Sequence, residues 1–179
     1  MDNTITWIND DSYTDIFEIG KDEKWGVIDH LGNEIIPCIY DGINLSRGYH
    51  EPNEKTPIGV MNNKKEAFFD RKGNQLTEFY DDIDFWNEAS EYFTFCAQDY
   101  SGILDYSGKE LFRIKLADLK FLTNNVLSYK KDFKYGLINI SGKILTEAIY
   151  ENIRKISDYN FLAIKQNLKV EIIDIKEIL

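Results

Sequence analysis

Apolar residues in this chain fall in short runs separated by polar turns, and no stretch keeps the spacing of an amphipathic helix. Runs such as Ile16-Phe17-Glu18-Ile19, Ile58-Gly59-Val60-Met61, Tyr92-Phe93-Thr94-Phe95, Val126-Leu127-Ser128-Tyr129 and Phe161-Leu162-Ala163-Ile164 read as strands. A second run follows each one, and these second runs repeat. Trp25-Gly26-Val27-Ile28-Asp29-His30-Leu31-Gly32 is echoed by Tyr135-Gly136-Leu137-Ile138-Asn139-Ile140-Ser141-Gly142. Weaker copies are Glu66-Ala67-Phe68-Phe69-Asp70-Arg71-Lys72-Gly73 and Ser101-Gly102-Ile103-Leu104-Asp105-Tyr106-Ser107-Gly108. A fifth copy, Val170-Glu171-Ile172-Ile173-Asp174-Ile175-Lys176-Glu177, lacks the closing Gly. The closing glycines at 32, 73, 108 and 142 set periods of 41, 35 and 34 residues.

An apolar run and a tail complete the unit: Tyr40-Asp41-Gly42-Ile43, Tyr80-Asp81-Asp82-Ile83, Tyr150-Glu151-Asn152-Ile153 and the weaker Leu116-Ala117-Asp118-Leu119. Short strands punctuated by turns at a fixed period predict an all-β fold of tandem antiparallel hairpins or small sheets. We read residues 1–179 as one domain of about five units, near 16–43, 57–83, 92–119, 126–153 and 161–179. One unit cannot bury its own apolar face, so the units must pack on one another. A propeller-like closed ring is the preferred arrangement and an open twisted stack of hairpins the alternative. The N-terminal stretch 5–13 aligns with a tail strand, and in the ring it is expected to complete the last unit.

The repeated positions carry structural chemistry. Asp29, Asp70, Asp105 and Asn139 are turn residues whose side chains accept backbone N–H bonds, and Gly32, Gly73, Gly108 and Gly142 supply the left-handed conformation that closes a tight hairpin. Gly26, Gly102 and Gly136 leave room inside a strand for a neighbouring backbone or ring. Trp25 and Tyr135 are packing anchors, and Tyr40, Tyr80 and Tyr150 mark the entry of the next strand.

At these residues the sequence resembles the bacterial WG-repeat family, whose units carry a Trp-Gly pair, an apolar pair with Asp, a turn Gly and an Ile-Pro-x-x-Tyr-Asp stretch. Trp25-Gly26-Val27-Ile28-Asp29, Gly32 and Ile36-Pro37-Cys38-Ile39-Tyr40-Asp41 match it almost completely; Tyr135, Ala67 and Ser101 depart from it, and no other unit keeps the Pro. The resemblance runs over about residues 5 to 179 and implies a β-rich interaction scaffold with no catalytic residues to carry over.

Composition narrows the role. Eleven Phe, eleven Tyr and three Trp in an apolar content of 43% suffice for a core. Twenty-one basic against thirty-one acidic residues give a net charge of −10, which repels nucleic acid and leaves a basic protein partner open. An acidic N-terminus and no long apolar span lead us to expect a cytoplasmic protein without a membrane partner. Cys38 and Cys96 match no chelating or redox spacing and read as buried free thiols of a reducing compartment. His30, in a variable turn position, and His50, in a polar loop, belong to no metal-ligand cluster, and no cofactor-cradling motif is present.

Two stretches exceed this background. The long first period places Tyr49, His50 and Glu51 in an insertion over 44–57, where repeat proteins commonly make contacts. In 81–91, Asp81, Asp82, Asp84 and Glu88 surround Trp86, an aromatic anchor with a charged rim. The expected function is a non-enzymatic protein-binding module, in a specific version an acidic immunity or inhibitor protein for a basic effector. Carbohydrate or small-molecule binding through exposed rings is the alternative. An enzyme built on a central carboxylate pair is a third reading, with no residues to nominate.

Overall fold

The computed structural model describes residues 7–9, 15–45, 55–84, 91–115 and 118–178. Among them no α-helix occurs, and the chain is all-β, folded as five small antiparallel sheets. The first sheet contains β1 (Trp7–Asn9), β2 (Ile16–Lys21), β3 (Lys24–Asp29) and β4 (Glu34–Tyr40) in sequential order. The second contains β5 (Gly42–Asn44), β6 (Ile58–Asn62) and β7 (Lys65–Phe69). The third is β8 (Asp82–Asp84), β9 (Tyr92–Ala97), β10 (Tyr100–Asp105) and β11 (Glu110–Lys115). The fourth is β12 (Asp118–Phe121), β13 (Val126–Lys131), β14 (Lys134–Asn139) and β15 (Ile144–Tyr150), and the last is β16 (Asn152–Lys155), β17 (Asn160–Ile164) and β18 (Val170–Asp174).

Sequence repeat and sheet are out of phase by one strand. Each tail that closes a sequence unit opens the next sheet: β5 follows Tyr40-Asp41, and β16 follows Tyr150-Glu151. The same phase governs the N-terminus and corrects one expectation. Strand β1 pairs with β2, Trp7 opposite Gly20 and Asn9 opposite Glu18, so it opens the first sheet and does not complete the last one, which has three strands. Pairing with the next strand along the chain closes a short loop, which costs less entropy than a contact between termini.

Positive φ angles mark the tight turns. Gly32, Gly73, Gly108 and Gly142 lie at φ 84, 84, 79 and 83°, each in the turn between a third and a fourth strand position. Asp29 Oδ1 accepts the N–H groups of Leu31 and Asn33, Asp70 Oδ1 those of Lys72 and Asn74, and Asn139 Oδ1 those of Ser141 and Lys143. The short polar side chain thus substitutes for backbone partners that the turn cannot provide.

Inside the strands, Gly26 and Gly136 sit where the ladder to the fourth strand shifts register. A Cβ on Gly26 would lie 2.5 Å from the Ile36 carbonyl oxygen, and one on Gly136 would lie 2.6 Å from the Thr146 oxygen and 2.5 Å from the Tyr129 ring. The bulged strand leans into the space of the missing side chain. In the second sheet Ala67 holds this position, and the segment after it makes only isolated bridges, Phe69 to Gln75 and Glu66 to Tyr80. Trp25 lies across Gly20 in the ladder, with a ring carbon 3.2 Å from where a Gly20 Cβ would stand, and it faces Tyr40 on the other side.

The chain divides into two compact units, Met1–Trp86 with Tyr106–Lys109 and Asn87–Asp105 with Glu110–Leu179. In the first, Ile16, Val27 and Ile36 of sheet one pack against Ile58, Val60, Ala67 and Phe69 of sheet two. In the second, Ile103 of sheet three meets Leu119, Leu127, Tyr129 and Ile138 of sheet four, whose other face, Val126 and Leu137, packs on Ile153, Phe161 and Ala163 of sheet five. Each fully buried aliphatic side chain contributes about 1.5–3 kcal/mol by leaving water.

The cysteines are not both buried. Cys96 is exposed and Cys38 half-buried. Cys96 stands opposite Ser101 beside the β9–β10 turn, where the strands leave the core, and its sulfur lies 3.5 Å from Ser101 Oγ.

Candidate interaction surface

The acid of each Tyr-Asp or Tyr-Glu tail has an internal partner. Lys24 donates to Asp41 at 2.6 Å, Lys65 lies 2.8 Å from Asp81, and Lys134 pairs with Glu151. Each lysine stands at the start of a third strand and each acid just before the next sheet, so the pair is part of the repeat. Asp41 also accepts the Asn63 N–H, while the backbone N–H groups of Asp41 and Glu151 bond the Met61 and Ile164 carbonyls. One tail residue thereby ties two successive hairpins together. The Lys24 ammonium first, then the Asn63 N–H, holds the Asp41 carboxyl below its ordinary range.

This geometry changes the reading of the acidic stretch. Asp81, Asp82 and Asp84 are exposed around buried Ile83, the alternation of a half-buried strand. Asp81 has a structural role through Lys65. Trp86 and Glu88 lie outside the described residues, as do Tyr49, His50 and Glu51 of the insertion. Exposed His30 occupies a turn.

A residue that sequence reasoning passed over joins the stretch. Glu66 occupies the repeat position of Trp25 and Tyr135, and its Oε2 accepts the Ile83 N–H at 2.9 Å. The departure from an aromatic was the available signal. Burial, with a smaller push from Asp82, raises the Glu66 carboxyl against the opposing Ile83 bond; burial and then Asp84 raise Asp82. Both therefore favour the folded state below their unfolded pKa, a contribution lost as pH rises through the folded one. Among the described residues no three His, Cys, Asp or Glu side chains are placed to hold a metal ion.

At the other end of the chain, Tyr150 donates its hydroxyl to Glu171 at 2.6 Å and Lys165 bonds the second carboxylate oxygen at 2.6 Å. Burial, then the Glu171 bond and charge, push Tyr150 up to about 12. Because the phenol is held protonated in the folded chain, its contribution is complete below the ordinary value near 10 and lost as pH rises through about 12. We expect alkaline unfolding to steepen over that window and Tyr150→Phe to flatten it; denaturant melts at stepped pH measure the slope, and equal slopes would refute the assignment.

Charge is divided unequally between the two units. The first holds nine basic and eighteen acidic residues, a net −9, and the second twelve and thirteen, a net −1.

Several solved structures are similar to this chain. The crystal structure of a eukaryotic initiation factor is similar with a TM-score of 0.50 and 8% identity over 90% of this chain and 50% of its own length. The computationally designed Ika4 protein is similar at a TM-score of 0.41 and 11% identity, covering 66% of this chain and 85% of that one. The Neurospora crassa Pan2 WD40 domain is similar at a TM-score of 0.40 and 11% identity, over 90% of this chain and 59% of its own length. No curated protein matches the chain. Residues 25–49 and 135–169 match the family described as WG containing repeat, and they cover the first and fourth copies of the internal repeat.

Proposed function

We propose that the chain is a non-enzymatic protein-binding module whose first unit takes a basic protein partner, in the specific version an inhibitor or immunity protein covering a cationic effector. The observation that carries this reading is the concentration of −9 of the −10 net charge in the first unit. A field of one sign steers an oppositely charged partner and accelerates encounter. The repeated side chains support it from the other direction: the Asp and Gly of the turns and the tail acids have internal partners or backbone duties, which leaves recognition to positions that differ between units. Asp82 and Asp84, exposed beside the Lys65–Asp81 pair, are such positions.

Stopped-flow association with a panel of small basic nucleases tests this. The expected result is binding whose rate falls steeply with salt, and an Asp82→Asn, Asp84→Asn double variant that associates about threefold to tenfold more slowly with little change in dissociation. Binding that ignores both salt and these substitutions, or no binding to any basic protein, would overturn the reading.

A further inference from the structure

The last sheet exposes a face that the other four sheets cover. Val27, Phe68, Ile103 and Leu137 occupy one repeat position, and each is 0% exposed. Ile172 occupies the same position in the fifth copy and is 65% exposed, with Val170 beside it at 55%. Cross-strand pairing adds Leu162 opposite Ile172 and Ile164 opposite Val170, so four aliphatic side chains form one patch over β17 and β18. The opposite face of this sheet, Ile153, Phe161, Ala163 and Ile173, already packs within the second unit.

This face is also more apolar than its covered counterparts. Opposite the buried residue, the other sheets place Glu18, Gly59, Thr94 and Ser128, where the last places Leu162. A sheet face designed for water would show the reverse pattern. Its rim carries Arg154, paired across the ladder with Leu162, and Asp174, paired with Asn160.

We propose that this face is the interface of a homodimer, packed on the same face of a second copy about a two-fold axis. Two observations select a second copy as the occupant. The unit that bears the patch has a net charge of −1, so two such units approach with almost no repulsion. The rim is self-complementary, since a two-fold axis brings Arg154 of each copy toward Asp174 of the other. The inference goes beyond the basic-partner reading and does not depend on it, because the two use different units.

Sedimentation velocity over a concentration series decides the matter. The full chain is expected to sediment as a dimer at about 100 μM and to dissociate on dilution, with Ile172→Asp and, separately, Leu162→Asp weakening association at least tenfold. Ile144→Asp, at an exposed site outside the patch, should leave the dimer intact. A wild type that remains monomeric throughout, or patch variants that dimerise as it does, would overturn the proposal. So would loss of folding in Ile172→Asp by circular dichroism, since that side chain would then be covered within its own chain.

Discussion

Alanine at Gly73 is expected to cost about 4 kcal/mol, and alanine at Gly32 only about 1 kcal/mol. Both glycines have φ of +84° and close the same turn of the repeat, so both substitutions carry the same left-handed strain. Their surroundings differ. A Cβ at Gly32 would meet nothing within 4 Å, whereas one at Gly73 would stand 2.1 Å from the Ile35 carbonyl oxygen and 3.1 Å from its carbon. Those are backbone atoms, which cannot rotate aside as the end of a side chain would. Relief requires the turn after β7 and the strand carrying Ile35 to separate, which loosens the packing between sheets one and two. Chemical denaturation of the two variants beside the wild type measures the difference. Equal losses would show that the conformation alone sets the requirement for glycine and that the close approach to Ile35 carries no energy.

The contrast shows what the sequence made legible. The turn glycines could be located because a left-handed residue is a chemical demand that a single letter satisfies, and the Asp or Asn three positions earlier marks the same turn. The five-sheet, all-β architecture followed from their spacing. The phase of the sheets did not, because a periodic string has no privileged starting point; only hydrogen bonding shows that Tyr40 ends one sheet and Gly42 begins another. Cys96 misled for a related reason: apolar residue types predict burial on average, while a position beside a hairpin turn decides it locally. The candidate site was less legible. Asp81 looked like part of an acidic rim until Lys65, sixteen residues earlier, proved to be its partner. Ile172 could not be singled out at all, since its letters match copies that are fully buried; what distinguishes it is the absence of a packed neighbour among the described residues.

Alanine at Gly136 is the second large effect, expected at about 3 kcal/mol, and it separates two sources of the glycine requirement. The new Cβ would lie 2.5 and 2.7 Å from the Tyr129 ring carbons Cε1 and Cζ, and 2.6 Å from the Thr146 oxygen. The ring and the oxygen are linked, because the Tyr129 hydroxyl donates to that same carbonyl at 3.2 Å. In a Tyr129→Leu background the ring clash disappears and the bond with it, so adding Gly136→Ala should cost only the part owed to the bulged strand, about half the original loss. The second sheet indicates the structural outcome: Ala67 stands at this position, and the strand beyond β7 is reduced to bridges while Thr77 Oγ1 still accepts the Phe68 N–H. The Gly136→Ala chain should relax the same way, with Leu137 keeping its bond to Thr146 Oγ1 as the ladder between β14 and β15 opens around it. Amide hydrogen exchange resolves this, with faster exchange along β15 and continued protection at Leu137. A variant in which β15 stays fully protected at wild-type stability would show that the glycine is dispensable and that the register shift opposite it has another cause.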